Sequence, residues 1–178
     1  MRAKLLGHHL HPMLIVLPLG LFIMAVVFEL LFFATHNPGL ATVAYWDVGA
    51  GILTGLLAAA TGLVDYTDIP KNTRAQGMAI THGIGNVFVM VLFIVSFFLR
   101  SDMPGHQPGA LTMFLDLVAI GIGGVTAWMG GELVERLGVG VDRGANVNAP
   151  SSLGDEPADA NVSGRRAMPR YTERPVEP

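Results

Sequence analysis

Three of the six histidines crowd one short stretch, Gly7-His8-His9-Leu10-His11-Pro12, directly ahead of an apolar run. Imidazoles at the mouth of a membrane span can ligate a metal or a haem iron, pass protons, or simply hydrogen-bond. Which of these applies depends on what other segments bring to the same depth. On an α-helix, positions eighteen apart point the same way and lie ~27 Å apart along the axis. Three such polar pairs occur: His11 with Glu29, Asp47 with Asp65, and His82 with Arg100. The spacing predicts two polar layers facing a bundle interior. One holds His11, Asp65 and His82, with His8 and Asn86 close by. The other holds Glu29, Asp47 and Arg100, joined by Asp116. Glu132 reaches the first layer only if Gly130-Gly131 distorts its helix, because it sits roughly 160° around from Asp116.

The elements that must position these groups are membrane helices. Mean hydropathy is +0.50, 51% of residues are hydrophobic and 14% charged, well below the ~25% charged of a soluble domain. The apolar residues gather into runs at about 13–34, 43–66, 78–99 and 110–134. Each is long enough to cross ~30 Å of hydrocarbon. The expectation is an all-α, antiparallel four-helix bundle spanning residues 1–143, followed by a disordered cytoplasmic tail over 144–178. That tail lacks the apolar surface to offset the entropy of ordering. Pro18 predicts a kink in the first helix, and Asn37-Pro38-Gly39 a turn in the link 35–42. Gly51, Gly55, Ala58 and Gly62 form a stripe on the second helix that, extended both ways, reaches Asp47 and Asp65. Gly121, Gly123, Gly124, Gly130 and Gly131 repeat the close-packing signature on the fourth.

The first run is too long for a signal-peptide core and no small-residue cleavage site follows, so the first helix reads as uncleaved. Arg2, Lys4, Lys71, Arg74, Arg136 and Arg143 fall on one side of the four spans and only Arg100 on the other. The positive-inside rule then puts both termini in the cytoplasm. Having no cysteine excludes disulfides, thiolate metal sites and c-type haem attachment. Neither a nucleophile–base set nor a phosphate loop is present, so an ordinary soluble-type enzyme is not expected, and nothing points to nucleic acid.

Imidazoles and a carboxylate converging from several helices suit a divalent metal (His11, His82, Asp65, Glu132) or haem b with His11 and His82 as axial ligands. For a cofactor held by His11 and His82, Asp65 would orient one imidazole, whereas a bond from His82 to Asp65 would belong to a structural role. The same residues equally suit a structural hydrogen-bond network. Both hairpins begin with a histidine, His11 or His82, and return with an acid after Leu-Val, Asp65 or Glu135, as a duplicated hairpin would.

Several long motifs resemble one bacterial membrane family, domain of unknown function 2231 (DUF2231), over residues 6–153. They are His8-His9-Leu10-His11-Pro12 leading to Leu17-Pro18-Leu19-Gly20-Leu21; Gly55-Leu56-Leu57-Ala58-Ala59; and Gly62-Leu63-Val64-Asp65-Tyr66 with Ile69-Pro70. His82-Gly83-Ile84-Gly85-Asn86 and the segment from Gly130-Gly131-Glu132-Leu133-Val134 through Arg136-Leu137-Gly138-Val139-Gly140-Val141 complete the match. The resemblance implies a four-helix bacterial inner-membrane protein with no assigned reaction. Some relatives are joined to Rieske-type iron–sulfur domains, which implies a redox setting. Three readings stay open: a redox-associated protein with a haem or metal at His11 and His82, an accessory subunit of a larger membrane complex, and a proton or cation conductor. Expected partners are the lipid bilayer, other membrane or redox proteins, and further copies of the chain.

Overall fold

The computed structural model describes residues 4–154 and 156–162. They fall into two compact units, residues 4–5 with 9–140, and residues 6–8 with 141–154 and 156–162. In the second unit, Ser152 Oγ donates to the Leu6 carbonyl at 3.2 Å. Asn146 Nδ2 bonds the carbonyls of Gly144 and Ala158, each at 2.9 Å. A 3-10 turn, Ala160–Val162, ends it. The expected disordered tail falls in part on residue 155 and residues 163–178, outside the described residues.

The first unit is the helical bundle: α1 (Leu10–Leu14), α2 (Val16–Thr35), α3 (Pro38–Tyr66), α4 (Arg74–Ser101) and α5 (Ala110–Gly131), closed by a π-helical turn over Glu132–Arg136. With α1 and α2 taken as one, four helices among the described residues are long and apolar enough to cross a membrane. The helix is interrupted at Ile15, three residues ahead of Pro18, because the missing proline N–H frees the Leu14 carbonyl one turn earlier.

Two boundaries differ from expectation for reasons of capping. The link expected over 35–42 shrinks to His36 and Asn37. His36 takes a left-handed conformation, and Asn37 Oδ1 accepts from Gly39 N at 3.0 Å, placing Pro38 at the first helical position. Helix α4 starts at Arg74, not 78, because Thr73 Oγ1 accepts from Gln76 N.

The bundle is a repeated hairpin. The buried residues Pro18, Phe22, Glu29 of α2 recur 71 positions on as Val89, Phe93 and Arg100 of α4. Those of α3 (Ala44, Tyr45, Val48, Ala58) recur 68 on as Thr112, Met113, Asp116 and Thr126 of α5. Equivalent residues meet one another. The rings of His11 and His82 lie 6.4 Å apart at 89°, Phe22 stacks on Phe93 at 4.0 Å and 3°, and Glu29 pairs with Arg100. Such meetings are what an axis along the membrane normal between two like hairpins produces.

The glycines divide into two sorts. A Cβ on Gly51 would lie 2.6 Å from Phe22, on Gly62 2.8 Å from His11, on Gly85 2.5 Å from Thr126 and on Gly130 3.3 Å from His82. These let helices approach. By contrast, Gly121, Gly123, Gly124 and Gly131 have nothing within 4 Å. Most of the α5 glycine signature is therefore not packing inside this unit.

Candidate functional site

At the histidine end, the helix starting with Leu10 and the return helix α3 are pinned by one bond. His11 Nδ1 lies 2.7 Å from the Ala58 carbonyl, its ring seated on Gly62. The second hairpin repeats the device, with His82 Nδ1 2.8 Å from the Thr126 carbonyl and the ring on Gly130. A carbonyl only accepts, so Nδ1 carries the proton in both rings. Asn86 Nδ2 then donates to His82 Nε2 at 3.0 Å, and Thr126 Oγ1 donates to Asn86 Oδ1 at 2.8 Å. Both nitrogens of His82 are engaged. Bonds of this kind between membrane helices contribute about 0.6 kcal/mol on average.

The acids assigned to this layer go elsewhere. Asp65 bonds not His82 but His9, at 2.8 Å. His8 bonds the Leu6 carbonyl in the second unit. Glu132 does follow a helical distortion after Gly130-Gly131, yet it pairs with Arg74 at 2.7 Å, at the rim. Among the described residues no group of three or more His, Asp or Glu is placed to hold a metal ion. Nor do His11 and His82 fit as axial ligands of a haem iron as they stand, because Asn86 occupies His82 Nε2.

The arginine end is where buried charge gathers. Arg100 is 1% exposed, Glu29, Asp116 and Ser96 fully buried. Arg100 Nη1 pairs with Glu29 Oε1 and lies 4.0 Å from Asp116 Oδ2. Nη2 donates to the Ala41 carbonyl at 3.1 Å and Nε to the His106 carbonyl at 3.0 Å. Ser96 Oγ donates to Asp116 Oδ2 at 2.8 Å. One guanidinium thereby ties α2, α3 and the α4–α5 loop together, and it lies against α5. Between the two ends sit Phe22, Phe93, Ala25, Val48, Val89 and Ala119, an apolar layer with no polar link across it among the described residues.

Asp47 does not join this cluster. The buried position is its neighbour Val48, and Asp47 is half-buried on the outer side of α3. It lines a groove with Gly20, Leu21, Met24, Phe28 and Val43, between α2 and α3. Of the four carboxylates on α2 to α5, Glu29, Asp65 and Asp116 have partners, whereas Asp47 has none among the described residues.

Ser96, Thr126, His9 and His106 are the participants that residue spacing did not single out. Ser96 was visible as a hydroxyl one turn before Arg100 in an otherwise apolar run, and Thr126 likewise interrupts one.

A four-span helical chain with polar groups turned inward at both ends is a membrane protein in build. A family model described as predicted membrane protein (DUF2231) matches residues 7–143. The chain belongs to the DUF2231 family. No curated protein and no solved structure matches it. In this DUF2231 chain the matched segment runs from Gly7 to Arg143, so it contains both polar clusters and the Asp47 groove.

Proposed function

We propose that this protein is an accessory subunit of a larger membrane assembly, seated against a partner helix along the groove between α2 and α3. The supporting observation is Asp47. A helix of 29 residues (Pro38–Tyr66) is ~43 Å long. Centred on ~30 Å of hydrocarbon, it carries Asp47 roughly 7 Å below the boundary. An ionisable group at that depth normally faces the bundle interior and a partner, as Glu29 and Asp116 do here. Asp47 faces outward, where lipid chains offer no donor. A partner helix presenting a hydroxyl, indole, amide or basic group at the same depth supplies one. Trp46 beside it is 61% exposed, an aromatic surface of the kind that interfaces use.

The test is extraction of native membranes in mild detergent, with wild type and Asp47→Leu compared by size on a native separation. Wild type is expected to run in a stoichiometric complex with a different chain. Asp47→Leu is expected to run free, at an unchanged melting temperature. A wild-type chain that runs alone or only with copies of itself, or an Asp47→Leu complex that stays whole, overturns the proposal.

A further inference from the structure

We propose that Glu29 and Asp116 hold one exchangeable proton between them, so that the arginine end of the bundle is a proton-binding site. The argument begins with the repeat. Glu29 and Arg100 occupy equivalent positions of the two hairpins and balance each other across them. The equivalent of Asp116 in the first hairpin is Val48, fully buried and apolar. Asp116 is thus an added carboxyl beside an ion pair already complete in charge, and the cluster has two acids for one guanidinium.

Hydrogen bonding shows the same surplus. Glu29 Oε2 and Asp116 Oδ1 are buried and receive no donor. None of the five N–H groups of Arg100 reaches either atom. Its Nε and Nη2 serve the carbonyls of His106 and Ala41, and its Nη1 serves Glu29. The two carboxyl groups converge on one nitrogen: Arg100 Nη1 pairs with Glu29 Oε1 and lies 4.0 Å from Asp116 Oδ2. A proton on one of them converts an acceptor into a donor aimed at the other and cancels the extra charge. A buried charge left uncompensated in a membrane is costly. A metal cation in the same place would lie against the Arg100 guanidinium; a proton requires no such approach.

The titratable and polar groups around the pair are few. Helix α3 contributes the Ala41 carbonyl and Tyr45, whose ring centre lies 5.8 Å from the guanidinium carbon. Helix α4 contributes Ser96 and Arg100, and the loop after it contributes His106. Toward the histidine end, the stacked Phe22 and Phe93 with Val48 and Ala119 close the site. Toward the other end, the loop after α4 lies on Arg100 and Tyr45. There the His106 ring lies flat on Tyr45 at 3.9 Å, and its Nδ1 bonds the Arg100 carbonyl at 3.2 Å. Exchange with water therefore runs by the α4–α5 loop.

Infrared spectra of the intact protein in lipid vesicles, in H2O and D2O at neutral pH, provide the test. The wild-type minus Asp116→Asn difference is expected to contain the C=O band of one protonated carboxyl, moving on deuteration. Asp116→Asn copies the shape of the neutral acid. Glu29→Gln leaves one acid to balance Arg100, so it must lose the same band, and it serves if Asp116→Asn does not fold. A difference spectrum without a protonated-carboxyl band, or a band that survives in Glu29→Gln, overturns the proposal.

Discussion

Arg100→Met is expected to destabilise the protein by about 3–5 kcal/mol, the usual cost of removing one partner from a buried charge set. The change leaves Glu29 and Asp116 without a countercharge and removes the donors to the Ala41 and His106 carbonyls. It thus strikes α2, α3, α5 and the covering loop at once. The core around it cannot absorb such a loss, because lipid is as apolar as Phe22 or Val48 and helices gain little by exchanging one for the other. Denaturation in mixed micelles reads the effect. A triple variant, Arg100→Met with Glu29→Met and Asp116→Val, is expected to recover most of it, since well-packed apolar groups replace buried ion sets at little cost. Stability of Arg100→Met within about 1 kcal/mol of wild type would mean that the charge cluster does not hold the hairpins together.

The second large effect is expected at Gly85. A Cβ there would lie 2.5 Å from Thr126 Cγ2. Thr126 cannot turn aside, because its hydroxyl is held by Asn86 Oδ1 and the Gly123 carbonyl. In Gly85→Leu, α4 and α5 must therefore separate, and the His82–Asn86–Thr126 chain opens with them. Overpacking of this kind costs about 1–3 kcal/mol. Gly124→Leu is the matched control: nothing lies within 4 Å of its Cβ position, and its melting temperature should not fall. Equal losses in the two variants would remove the packing account of Gly85.

Much of this was legible in the residue spacing. The eighteen-residue pairs put His11 with Glu29 and His82 with Arg100 on inward faces; Glu29 and Arg100 are buried, and His11 and His82 bond carbonyls of facing helices. The same rule misplaced Asp47 for a specific reason. A helical stripe can be extended by three residues or by four, and from Gly51 these steps reach Val48 or Asp47. The bundle buries Val48. Sequence shows which residues donate but not which carbonyls lie open to accept, so the anchors of His11 and His82 on Ala58 and Thr126 were beyond it. His9 caps α1 in an extended conformation, where helical phase no longer fixes a side chain's direction, and its bond to Asp65 was hidden for that reason. Of the echo between the hairpins, His11 and His82 are equivalent residues in contact, whereas the α3-to-α5 offset carries Asp65 to Leu133 and not to Glu135.

The lateral role assigned to the Asp47 face can be tested in intact membranes with a photo-reactive residue. Trp46 of α3 and Phe114 of α5 occupy equivalent positions of the two hairpins and are both about 61% exposed. The measurement is the yield of cross-linked adduct from each position. A single adduct with a different chain from position 46, lost on adding Asp47→Leu and absent from position 114, is the result predicted. Adducts that are the same from both positions, or that survive Asp47→Leu, would contradict it.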